Sequence, residues 1–242
     1  MDWTRASAVT LIPDREREYI RDIFKERLKG PVMLEAFLTG DDSCAYCNEM
    51  LVLMKELAEL GPNGLITYSV HYRESEPEVF EANRILGPPT LRVRSPDAPY
   101  YMMFSGMPAG YEFGALIEDI LDASKGSPRL SPTTIEKLRA LDKDMEIWVF
   151  VTPTCPYCPR AVRMAHMFAM ANPRIRGIMV EAMEFPSLAE KYEVMSVPHI
   201  VINDSYTFIG ALPEPTFLEH VMRAASGETA YEVTEEGVSP VK

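Results

Sequence analysis

The chain has 242 residues, 47% of them hydrophobic and 25% charged, a globular mixture with material for two compact units of about 100 to 120 residues each. Its formal net charge of −12 opposes phosphate, which argues against a nucleic-acid partner and favours a polypeptide one. The charged opening Met1-Asp2-Trp3-Thr4-Arg5 lacks the apolar stretch of a secretory leader and no apolar run reaches the ~18 residues of a transmembrane helix, so a cytoplasmic location with no membrane partner is expected.

In chain order, Ile20, Ile23, Phe24 and Leu28 set an opening amphipathic helix. A β-rich run over 32–38 leads to Cys44-Ala45-Tyr46-Cys47, and Met50, Leu53, Met54 and Leu57 mark a helix that stops at Gly61-Pro62. A strand over 65–70 precedes Pro77, which suits a first helical turn, and Pro89 opens an apolar strand over 91–93. A long hairpin through Ser95-Pro96-Asp97-Ala98-Pro99 reaches Gly106, Phe113, Leu116, Ile117 and Ile120 close the half with a helix, and 124–132 reads as a linker. The same order then returns. Ile135, Leu138 and Leu141 follow a Ser131-Pro132 cap, a strand over 147–151 precedes Cys155-Pro156-Tyr157-Cys158, and a helix runs from 159 to about 171 before Asn172-Pro173. A strand over 178–182, a short helix opened by Pro186, a strand over 200–202 after Pro198, a tight turn at 203–205, Gly210 and a helix with Phe217, Val221 and Met222 complete the repeat. The acidic tail after Gly227 reads as loose.

Two copies of the order α-β-α-β-α-β-β-α predict an α/β fold of two tandem thioredoxin-fold units, each a mixed β-sheet flanked by helices, over 1–126 and 127–242. The tandem arrangement, the Cys155-Pro156-Tyr157-Cys158 motif and the run from Phe185 through Pro186, Tyr192 and Val194 to Val197-Pro198 resemble the glutaredoxin-like protein disulfide oxidoreductases of hyperthermophilic archaea and bacteria. The resemblance covers all but the tail. It implies a cytosolic enzyme that forms, reduces or isomerises disulfides in cytosolic protein substrates, with no cofactor beyond its redox-active disulfides and a thioredoxin-reductase-like flavoprotein to re-reduce it. Composition bears on the thermophilic source from two sides: Gln is absent and Arg outnumbers Lys two to one, but there are 15 Met.

Disulfide exchange needs a thiolate that attacks and a second thiol that resolves the mixed disulfide. A CxxC at a helix start supplies both, because unpaired N–H groups and the helix dipole stabilise the first sulfur as an anion while the second lies a turn in. Cys155 and Cys44 are thus the expected nucleophiles, with Cys158 and Cys47 resolving. Tyr157 and Tyr46 are placed to form an aromatic lip. The likeness to thioredoxin-type sites further implies cis-prolines beside each motif, at Val197-Pro198 and Pro88-Pro89, as substrate-binding positions; Pro88 lacks the N–H the family normally offers a substrate. The buried acid of thioredoxin-type strands is missing, since Ala36 and Val149 occupy its place, and Glu35 is the nearest substitute as a proton acceptor.

Against redox catalysis stand a four-cysteine zinc site, a static N-terminal disulfide, and a non-catalytic zinc- or peptide-binding scaffold; no metal is expected, since more than a hundred residues separate the pairs. Within the same chemistry, an alternative is an electron carrier from a flavoprotein reductase to a peroxidase. His199 is expected at the rim, His71, His166 and His220 are read as structural, Trp148 as a core aromatic, and Met164, Met167 and Met170 as core packing. Asp41 and Asp42, just before Cys44, set like charge near that thiol, whereas Thr152-Pro153-Thr154 before Cys155 is uncharged, so Cys155 is expected to be the more acidic thiol.

Overall fold

A computed structural model describes residues 10–41, 43–98 and 100–229, with the backbone of 231–234 and 237–240. The first half runs α1 (Asp14–Arg27), β1 (Val32–Leu38), α2 (Cys47–Leu60), β2 (Ile66–Tyr72), α3 (Pro77–Ala82), β3 (Thr90–Arg94), β4 (Tyr101–Ser105) and α4 (Tyr111–Lys125). The second runs α5 (Pro132–Arg139), β5 (Met145–Val151), α6 (Cys158–Ala171), β6 (Ile175–Glu181), α7 (Pro186–Lys191), β7 (His199–Ile202), β8 (Tyr206–Ile209) and α8 (Glu214–Ala225). Proline occupies the first turn of α3, α5 and α7, where its missing N–H leaves no bond unmade.

The strands form one mixed sheet in the order β2-β1-β3-β4-β6-β5-β7-β8. In each half the first strand pairs in parallel with the second and antiparallel with the third, which pairs antiparallel with the fourth. The halves join where β4 and β6 pair in parallel, from Tyr101 against Arg176 to Ser105 against Val180. The fold is therefore two tandem thioredoxin-fold units merged through a shared α/β sheet.

Strand alternation sends side chains to two cores. Leu34, Ala36 and Leu38 of β1 and Ile147, Val149 and Val151 of β5 pack with α1, α2, α4, α5, α6 and α8. Phe37, Met103, Trp148, Phe150 and Ile178 face the other way, against Phe80 of α3 and Leu188 and Ala189 of α7. Where α4 meets α6, a polar cluster sits inside the first core. Asp119 is fully buried and bonds His166 Nδ1 at 2.6 Å, the other ring nitrogen reaches Met103 O at 3.1 Å, and Arg163 grips both Asp119 and Asp122.

Two readings of the chain differ from the fold. Helix α4 runs through Ser124 to Lys125, where a left-handed Gly126 caps it, so the linker begins later than its composition suggests. The tail read as loose carries an antiparallel ladder, β9 (Tyr231–Thr234) with β10 (Gly237–Pro240). Its acidic composition hid the β-favouring Tyr231, Val233 and Val238.

Candidate active site

Both CxxC segments leave the C-terminal ends of parallel strands, β1 and β5, at one edge of the sheet. Cys44–Cys47 and Cys155–Cys158 are each joined as a disulfide, with Cα–Cα separations of 5.6 and 5.5 Å. Cys47 and Cys158 open α2 and α6 and are buried. Cys44 is half-buried, but Cys155 is only 7% exposed, more enclosed than a freely attacking thiol would be. The Cys155 sulfur lies 3.2 Å from the backbone N of Cys158, an N–H of the first helical turn, and 3.8 Å from Val197 O.

The Val197-Pro198 and Pro88-Pro89 peptide bonds are cis. Each proline carbonyl accepts a bond from the glycine after the paired strand, Gly106 N to Pro89 O at 2.8 Å and Gly210 N to Pro198 O at 2.9 Å. The two sites thus share a frame, apart from the donor that Pro88 cannot provide. Tyr46 and Tyr157, each the third residue of its motif, both stand exposed.

Glu35 requires a correction as proton acceptor. It points to the sheet face of Phe37, opposite the Leu34, Ala36 and Cys47 side, and its carboxylate is held by Arg94 at 2.8 Å and Arg92 at 3.4 Å. Arg92 is its direct cross-strand partner on β3. A carboxylate bound by two guanidiniums away from both sulfurs cannot relay their protons.

A different carboxyl, Glu112, is buried beside the point where α4 meets the loop that precedes Cys155. It lies in the first turn of α4, is 1% exposed and has no hydrogen-bond partner on either oxygen among the described residues. Burial, with Asp119 adding like charge, pushes its pKa up to about 8. The neighbouring Tyr111 N–H bonds Pro153 O at 3.1 Å, and Gly110, at φ +59, leaves no room for a Cβ, which would sit 2.2 Å from Pro153 O. So the first half clamps the loop that precedes Cys155. Glu112 lies two turns before Asp119 on the same helix face, and Asp119 meets Arg163 and His166 of α6. That face leads back to the first turn of α6, which Cys158 opens. No local pattern marks Glu112; only the pairing of α4 with α6 buries it.

The remaining candidates sort clearly. His199 is not on the rim but 2% exposed, its Nε2 2.6 Å from Thr207 Oγ1, and burial lowers its pKa. His166 belongs to the α4–α6 cluster and Trp148 to the core. Met170 is buried and Met164, partly buried, packs against the core, whereas Met167 only lines a groove of about 630 Å³ that Met164 shares with Pro156 and Pro159, so core packing holds for two of the three. Asp41 is exposed and bonds Ser43, which holds its pKa low; Asp42 lies outside the described residues. Glu74 adds a carboxylate to the same loop, accepting from Thr39 Oγ1 and from Gly40 N at 3.2 Å.

A pair of CxxC disulfides at helix starts, each near a cis-proline, on a doubled thioredoxin-type sheet defines the class of dithiol-disulfide oxidoreductases. A Thioredoxin domain model matches residues 145–223. A solved protein disulfide oxidoreductase from Aeropyrum pernix is 37% identical, with a TM-score of 0.83 over 90% of this chain and 95% of that one. The chain belongs to this protein disulfide oxidoreductase family. It is also similar to the N-terminal N/C domain of the alkylhydroperoxide reductase AhpF from Enterococcus faecalis, 27% identical with a TM-score of 0.76 over 86% of this chain and 98% of that one. The corresponding alkyl hydroperoxide reductase protein from Pseudomonas putida is 27% identical over 74% of this chain, which spans about a third of that relative's length. Among the described residues no helix is long and apolar enough to cross a membrane.

Proposed function

We propose that the protein exchanges disulfides with polypeptide substrates, Cys155 and Cys44 attacking and Cys158 and Cys47 resolving. The observation that carries this is the setting of the Cys155 sulfur between the Cys158 N–H and the Val197 carbonyl next to cis-Pro198. There the helix terminus favours the thiolate, and an extended segment laid along 197–198 would reach it. In the reducing direction the Cys155 thiolate attacks a substrate disulfide and one substrate sulfur leaves. Cys158, deprotonated by Glu112, then attacks Cys155, closes the Cys155–Cys158 bond and frees the second sulfur. A carboxyl held near neutrality by burial suits that proton transfer. The same steps reversed form a substrate disulfide.

The two pairs lie four strand positions apart, ~19 Å at ~4.8 Å per strand, too far to share one zinc ion. Cys158→Ser tests the reading. Attack survives and resolution does not, so this variant should accumulate mixed disulfides with protein substrates while Cys155→Ser captures none. Capture by Cys155→Ser alone would mean that the two roles are reversed.

A second reading, electron transfer from a flavoprotein reductase to a peroxidase, is favoured by the likeness to the alkyl hydroperoxide reductase proteins. Reconstitution separates the two. A carrier would support peroxide turnover with a flavoprotein and a peroxidase yet reduce a general protein disulfide poorly.

A further inference from the structure

Between the two CxxC segments a cleft of about 770 Å³ runs along the sheet edge, lined by Cys44, Pro89 and Met107 from the first half and Pro153, Glu181 and Glu184 from the second. Glu181, the last residue of β6, is 3% exposed. One of its oxygens accepts the Glu184 N–H at 2.6 Å, and the other is buried without a partner. Glu184 is held in the same way, Oε1 accepting the Met107 N–H at 2.8 Å and Oε2 buried without a partner. Because Gly106, next to Met107, bonds the Pro89 carbonyl, this carboxyl hangs one residue from the cis-proline of the N-terminal site. The approach needs glycine, since a Cβ on Gly106, at φ +95, would lie 2.6 Å from the Glu181 Cβ.

Glu181 is buried and Glu184 half-buried, and two carboxylate oxygens shut away from water with open acceptor positions are costly unless something completes them. Burial raises both, Glu184 to about 7. No Lys or Arg lines the cleft among the described residues, and Glu49 adds a further carboxylate. The C-terminal site has the matching Gly210 to Pro198 bond, but there the chain continues into Ala211 and Leu212, and a Cβ on Gly210 would meet only Leu212.

We propose that this cleft takes a Lys or Arg side chain of the substrate, which makes the Cys44–Cys47 pair selective for disulfides flanked by basic residues. The proposal deepens the disulfide-exchange reading and rests on it. The cation completes the free oxygens of Glu181 and Glu184 while the segment lies along 88–89. Because the carboxyls come from β6 and its following turn, the second half completes the first half's site.

The test measures binding of fluorescent extended peptides to the oxidised full chain by anisotropy. The peptides carry Ser in place of Cys and differ only in an Arg or a Glu at a flanking position. The Arg peptide should bind about tenfold more tightly, the worth of a charge-assisted bond, and the preference should fall within about twofold in the Glu181→Gln/Glu184→Gln protein. Gln keeps an oxygen for the Met107 and Glu184 N–H groups. Equal affinities, binding of neither peptide, or a preference undiminished in the double variant would overturn the proposal, the last pointing to the overall negative field instead. If the double variant does not fold, moving the Arg along the peptide decides on the unaltered protein. A preference confined to one position supports the cleft, and one spread over all positions contradicts it. Since binding is read without exchange, failure of the Cys44–Cys47 pair to react with cysteine peptides would count separately, against the underlying exchange reading.

Discussion

Cys158 presents its backbone N–H to the Cys155 sulfur across 3.2 Å, and among the described residues no such donor reaches Cys44. The loop before Cys44 also carries the Asp41 and Glu74 carboxylates, while Thr152-Pro153-Thr154 before Cys155 is uncharged. A thiolate is stabilised by the first arrangement and opposed by the second. In the reduced protein Cys155 should therefore ionise at lower pH than Cys44, its alkylation rate reaching a plateau at lower pH even though its sulfur is the more enclosed. Rates followed against pH in variants lacking the other pair check this. A Cys44 that titrates at or below Cys155 would show that exposure screens Asp41 and Glu74 out of play.

Glu112 ties stability to pH. Its pKa is raised by burial from the ordinary value near 4.5 to about 8, so the folded state holds the proton more tightly than the unfolded chain. Its contribution is full below about 4.5 and is lost as pH rises towards about 8. Glu112→Gln should change stability little at pH 5 and raise it by a few kcal/mol, on the order of what such a shift implies, at pH 8.5. Denaturant unfolding of the oxidised proteins at both pH values measures it. The same variant should slow resolution by Cys158, lengthening the life of the mixed disulfide.

Asp119→Ala removes one of the two carboxylates that Arg163 grips and strands the Nδ1 of buried His166. Leaving a buried charge short of its partner costs about 3–5 kcal/mol. Because the cluster joins α4 to α6, the loss should lower the thermal midpoint of the whole chain in one transition. Early melting of one half alone would show that the shared sheet couples the halves less than the β4–β6 ladder suggests.

Much of this fold is legible because the repeat is written locally. Gly61-Pro62 and Asn172-Pro173 end helices wherever they occur, and prolines at 77, 132 and 186 open them. The β4–β6 pairing is not legible, since parallel neighbours far apart in the chain leave no turn between them to read. Glu35 misleads for a related reason: its apolar strand context is plain, but Arg92 comes opposite it only through the register of β3. Glu112, Glu181 and Glu184 look like surface residues until packing between the halves buries the first two and half-buries the third. The cysteine motifs survive translation into structure because each needs only its own strand and helix, whereas Pro89 and Pro198 reach them through the β1–β3 and β5–β7 pairings and are legible only through the family resemblance.

The most direct test of disulfide exchange is transfer of reducing equivalents to insulin by protein prereduced with dithiothreitol and freed of it. Reduction by the unaltered chain is expected, with a large loss in Cys155→Ser and no activity when all four cysteines are serine. Stoichiometric zinc with no insulin reduction would contradict it.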